Sequence, residues 1–125
     1  MKTADPPLPT SLQHMVDEDR ILIPCAREVV DYLDAHRDLA LIVPSACSQA
    51  RQEFGPEAEL ELKVYRDPEI DDHYLSLYAR LPSYDETIMT RIERVTHPFD
   101  DELCSASGYF LVTTDFGRPR ANHAV

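Results

Sequence analysis

Glu61-Leu62-Lys63 sets a carboxylate and an amine two residues apart, a spacing that puts both on one face of an extended strand. In Mg²⁺-dependent nucleases such a pair divides the work: the carboxylate holds the ion and the lysine assists the attacking water. Asp38, just ahead of the apolar run Leu39-Ala40-Leu41-Ile42-Val43, could supply the upstream metal ligand. Asp67, Glu69, Asp71 and Asp72 form a second group of hard oxygen donors, suited by type to Ca²⁺ or Mg²⁺. Their spacing does not make a calcium loop. With Asp67 in the first position, the required glycine falls on Asp72 and the closing glutamate on Tyr78. A solvated acidic turn is the simpler assignment, and no metal, cofactor or catalytic residue is expected.

A third constellation is built for contact rather than chemistry. Tyr65, Tyr74, Tyr78 and Arg80 lie on two segments whose side chains alternate. In the first segment Ala58, Leu60, Leu62 and Val64 face one way, and Glu59, Glu61, Lys63 and Tyr65 the other. In the second, Leu75, Leu77, Ala79 and Leu81 oppose Tyr74, Ser76, Tyr78 and Arg80. A period of two marks half-buried strands, and the acidic, proline-bearing link 67–72 makes them a β-hairpin. Tyr and Arg concentrate binding energy at protein interfaces. The expected partner-binding set is therefore Tyr65, Tyr74, Tyr78 and Arg80, flanked by Glu59 and Glu61.

Net charge narrows the partner. The chain has 125 residues and a formal charge of −11, which repels phosphate backbones and favours a basic protein partner. With only three glycines it has no phosphate-cradling loop. His14, His36, His73, His97 and His123 are scattered, and Cys25, Cys47 and Cys104 show no zinc-ligand spacing. The cysteines read as reduced and mostly buried, which suits a cytoplasmic protein. No apolar run reaches membrane-spanning length, and no signal peptide is expected.

The remaining elements must position the hairpin. Residues 1–18, with Pro6-Pro7-Leu8-Pro9, read as a mobile tail, 19–116 as one domain and 117–125 as a C-terminal tail. Pro24 opens a helix running to His36, with Val29, Val30 and Leu33 on its apolar stripe. The run 38–43 fits either a buried strand or a helix opening. Pro44 then leads a helix over Ala46–Phe54, closed by Gly55. Ser83 and Glu86 match a capping box before a helix carrying Ile88, Ile92 and Val95, with Arg91 and Arg94 favoured near its C-terminal end. Residues 99–103 read as an acidic connection. Tyr109–Thr114 reads as a buried, central strand. The expected fold is α+β, a two-layer sandwich of order α-α-β-β-α-β, with helices on one face of a small, mostly antiparallel sheet.

The strings VYRDPEIDDHYLSLYARLPSYDETIMTRI and SGYFLVTTDF resemble a family of small bacterial hypothetical proteins of unknown function, over about 41–116. The resemblance implies a bacterial origin and a compact α+β domain, and no catalytic residues. The expected function is a non-catalytic interaction or accessory domain, antitoxin-like within that class, that docks a basic protein or a second copy of itself. The alternative is a Mg²⁺-dependent nuclease using Asp38, Glu61 and Lys63.

Overall fold

The computed structural model describes residues 10–67, 69 and 72–119. Its centre is the expected hairpin, strands β2 (Glu59–Asp67) and β3 (Asp72–Arg80). They pair antiparallel with Leu62 opposite Leu77, Val64 opposite Leu75 and Tyr65 opposite Tyr74. Because directly paired residues share a face, this register gathers the leucines on one side and the tyrosines, Glu59, Glu61 and Arg80 on the other.

Helices bury the leucine face. In α2 (Ala26–Ala35) Val29, Tyr32 and Leu33 are buried, as are Ile88, Ile92 and Val95 of α4 (Ile88–Thr96). The long α3 (Arg37–Phe54) settles the ambiguous run. Leu39 is 0% exposed and Leu41 82%, with Ile42, Val43, Ala46, Cys47, Ala50 and Phe54 also buried, a helical period. Pro44 therefore lies inside a helix instead of opening one, although an interior proline removes a backbone bond at a cost of roughly 3 kcal/mol. The buried stripe on both sides of Pro44 outweighs that cost. Gly55 ends α3 at φ +84, a backbone region that glycine enters without strain, and its N–H reaches the Arg51 carbonyl at 2.9 Å.

Two strands complete a mixed, open sheet of order β1-β2-β3-β4. The two-residue β1 (Ile21–Leu22) runs parallel to β2, and β4 (Phe110–Thr113) runs parallel to β3. The sheet is thus mixed, the long central pairing antiparallel and both outer ones parallel, and β4 is an edge strand rather than a central one. Its buried Phe110 and Val112 alternate with half-buried Leu111 and Thr113, so only one of its faces is fully covered. Apolar character on both faces of the sequence masked that alternation.

Other differences are local. Residues expected in a mobile tail form α1 (Thr10–Asp17), whose Leu12 and Met15 enter the core at 2% and 0% exposure. Residues 1–9 and 120–125 lie outside the described residues. The expected acidic connection is a 3₁₀ turn (His97–Phe99) followed by α5 (Asp100–Cys104). No Ser83 capping box forms. Instead the Asp85 carboxylate accepts the Thr87 N–H at 2.9 Å, at the threshold of α4. Arg91 and Arg94 reach sideways to Glu53 of α3 instead of along their own helix axis. Two of the three cysteines, Cys25 and Cys104, are exposed; Cys47 is buried, and burial pushes its thiol pKa up.

If α1 is part of the fold, Met15→Ala removes a fully buried side chain and lowers unfolding free energy by about 2–5 kcal/mol in a urea titration. A detached tail would leave the midpoint unchanged.

Candidate functional site

The face opposite the leucines is organised around one cation. Arg80 ends β3 opposite Glu59 of β2, next to Glu61. Its Nη1 donates to Glu59 Oε2 at 2.6 Å and to Glu61 Oε1 at 2.5 Å. Its Nε and Nη2 clamp Asp115, beyond the end of β4, at 3.2 and 3.1 Å. Arg80, Glu59 and Glu61 are at most 9% exposed. Burial works against the Arg80 cation, but the hydrogen bonds it donates to Asp115, Glu61 and Glu59 outweigh it and raise the pKa. Arg80 in turn holds the Asp115 carboxyl below its usual value. The sequence put Arg80, Glu59 and Glu61 on one sheet face but not Asp115, which joins them only in the fold. What it could not show is that the two glutamates and the arginine saturate one another beneath the surface, so the outer part of the site is aromatic.

That outer part is a row of rings. Tyr65 and Tyr74, cross-strand partners, have centroids 5.2 Å apart, and Tyr109 meets Tyr74 edge-on at 5.3 Å. Tyr109 was not among the expected site residues. The parallel register sets it beside Tyr74, and only the pairing of β3 with β4 reveals this. Further along, the Tyr78 ring has Lys63 Nζ 5.3 Å from its centroid on one side and the Arg80 guanidinium at 5.6 Å. Burial, then the nearby Asp115 and Tyr65, raise the Tyr78 hydroxyl pKa. Tyr65 and Tyr109 are 39% and 56% exposed, and Leu22 of β1 on the same face is 44% exposed. Between them Ser76 Oγ is buried with no hydrogen-bond partner among the described residues, a cost of about 1–3 kcal/mol.

Asp38 serves a different part of the molecule. Its carboxylate accepts the Ser107 N–H at 2.7 Å, the Ser107 hydroxyl at 3.0 Å and its neighbour Leu39 N–H at 2.9 Å. The Ser107 backbone bond is the main reason its pKa is lowered. Glu61 pairs with Arg80 and the Lys63 ammonium lies over the Tyr78 ring, so each member of the nuclease-like trio has a contact of its own. Among the described residues no group of three or more His, Cys, Asp or Glu could hold a metal. Of the acidic loop, Asp71 lies outside the described residues.

His36 Nδ1 also lies 3.0 Å from Ser107 Oγ, which assembles serine, histidine and carboxylate in one place. The wiring is not that of a hydrolase. The carboxylate sits on the serine instead of orienting the far side of the imidazole. The cluster works as a clasp for the turn before β4. Tyr32 joins it, its hydroxyl accepting the Tyr109 N–H at 2.9 Å. Gly108 makes the close approach possible, since a Cβ there would lie 2.7 Å from His36 Cγ.

No protein-family model, no curated protein and no solved structure matches this chain. The chain stands as an α+β domain with a mixed, open, four-stranded sheet. No helix among the described residues is long and apolar enough to cross a membrane.

Two outcomes follow from the Arg80 network. Arg80→Met leaves two buried carboxylates without their cation and costs about 3–5 kcal/mol of stability, measurable by urea unfolding. Asp115 has a folded-state pKa below its unfolded value near 3.8, so its contribution is complete above that value and is lost as pH falls through the folded pKa. Asp115→Asn should therefore flatten the acid limb of the stability–pH curve and leave its neutral slope unchanged.

Proposed function

We propose that this protein is a non-catalytic interaction domain that docks a protein partner on the tyrosine-bearing sheet face. The observation that carries the reading is the Tyr65–Tyr74–Tyr109 row, rings 5.2 and 5.3 Å apart with two of them well exposed, on a rigid sheet. Tyrosines on strands lose little conformational freedom on binding, and their ring faces accept the cations of Arg and Lys. Arg80, Glu59 and Glu61 support the row from below by cross-linking β2, β3 and the segment after β4. The partner class is a basic protein: the net charge of −11 speeds its approach, while the rings supply the contact. An accessory, antitoxin-like role in which this face covers the working surface of such a partner belongs to the same proposal.

The metal-dependent alternative through Asp38, Glu61 and Lys63 has less behind it, because each of the three is engaged elsewhere.

The test is an affinity capture from source cells with the wild-type chain and with Tyr65→Ala and Tyr78→Ala baits of matched thermal stability. Basic proteins retained by the wild type at low salt and lost with either variant support the reading. Equal capture by all three baits retires it, and tight stoichiometric Mg²⁺ binding in calorimetry would revive the enzyme.

A further inference from the structure

The two edges of the sheet are treated very differently. At the β1 edge the strand is only two residues long, and Arg51 gathers carbonyls from the segments that lead into β1 and β2. Its guanidinium donates to the backbone oxygens of Asp19 at 2.8 Å, Arg20 at 3.2 Å, Gly55 at 2.9 Å and Ala58 at 2.7 Å. A very short strand is one means by which proteins close an edge to further pairing.

The β4 edge is twice as long, at four residues. Leu75 N–H donates to the Tyr109 carbonyl at 3.0 Å, which fixes the phase of the parallel ladder. Tyr109, Leu111 and Thr113 therefore turn their backbone groups toward β3, and Phe110 and Val112 turn theirs outward. Among the described residues no strand pairs with that side. From Gly108 to Thr114 the sequence GYFLVTT holds no charge and no proline, and is rich in β-branched and aromatic residues. The first charge beyond it, Asp115, is engaged by Arg80.

We propose that β4 is a self-association seam, where two copies of this chain join antiparallel through a two-fold axis at Leu111. That register keeps the core face of one sheet continuous with the core face of the other. Phe110 lies opposite Val112 of the partner subunit, the outward-pointing pair that exchanges both backbone bonds. Leu111 meets Leu111 of the partner subunit at the non-bonded position, where side chains approach closest. Tyr109, 56% exposed in the single chain, covers Thr113 of the partner subunit. A second copy is the occupant because identical edges are complementary without further design, and because the seam lacks the charges that make two chains of −11 repel. The seam goes beyond the proposed docking face and adjoins it at Tyr109; its test reads self-association, and the capture test reads the other partner.

Sedimentation equilibrium at moderate salt should show a dimer for the wild type and a monomer for Leu111→Lys, which sets two ammonium groups against each other at the axis. Leu111 is half-buried and outside the core, so circular dichroism should report an unchanged fold. In a Cys25→Ser/Cys104→Ser background, Leu111→Cys should form an interchain disulfide under mild oxidation, since non-bonded pairs bring Cα atoms to about 4.5 Å. A wild-type chain monomeric at millimolar concentration overturns the seam. So does a dimer that survives Leu111→Lys, or a cysteine variant that stays uncrosslinked.

Discussion

A buried arginine shared by acids from two other segments holds the polar side of this sheet together. Arg80 could not stay under the surface alone, because desolvating one charge costs several kcal/mol. Glu59 and Glu61 could not either. Placed opposite and diagonal to Arg80 across the hairpin, they make its burial tolerable, and Asp115 adds a two-point clamp from the far side of β4. The consequence is geometric as much as energetic. Strand β2, strand β3 and the chain leaving β4 are fixed to one planar group, so the rings beyond it keep a set spacing.

The helical layer uses the same device at lower cost. Arg51 gathers carbonyls from both ends of the α3 connection, and Arg91 reaches the Glu53 carbonyl at 2.8 Å while its guanidinium lies 5.1 Å from the Phe54 ring centroid. At the other end, His36 and Asp38 hold Ser107 and Tyr32 holds Tyr109, on either side of Gly108 just before β4. These contacts bridge segments far apart in sequence and set where each edge strand lies. Asp38, which could have served as a metal ligand, is employed in that positioning.

The hairpin was legible because its alternation runs unbroken through both strands, and a one-residue slip would expose every leucine. Ile88, Ile92 and Val95 were equally plain at helical spacing. What stayed hidden depends on long-range pairing. The parallel neighbours β1 and β4 carry no local mark of direction, so neither the mixed sheet nor the place of Tyr109 could be inferred. Met15 and Leu12 looked like part of a proline-led tail because their stripe is short and only the rest of the core gives it a partner. Pro44 misled for a related reason: proline at a helix start is a strong local preference, and burial of Leu39, Ile42 and Val43 overrode it. For the site, residue types picked out one sheet face, and burial shows which of its members reach the surface: Tyr65 does, whereas Arg80, Glu59 and Glu61 are buried.

The connectivity also has a kinetic meaning. Between β2 and β3 the chain closes only a short turn, whereas β1 and β4 each reach the sheet across a helical crossover. Closing long loops costs more entropy before any contact repays it. The hairpin is thus the portion of the sheet positioned to assemble first, with the outer strands added as the helices settle on its leucine side. In reverse, the hairpin has the most bonds to lose, nine paired residues against two for β1, so it is the last part of the sheet to open.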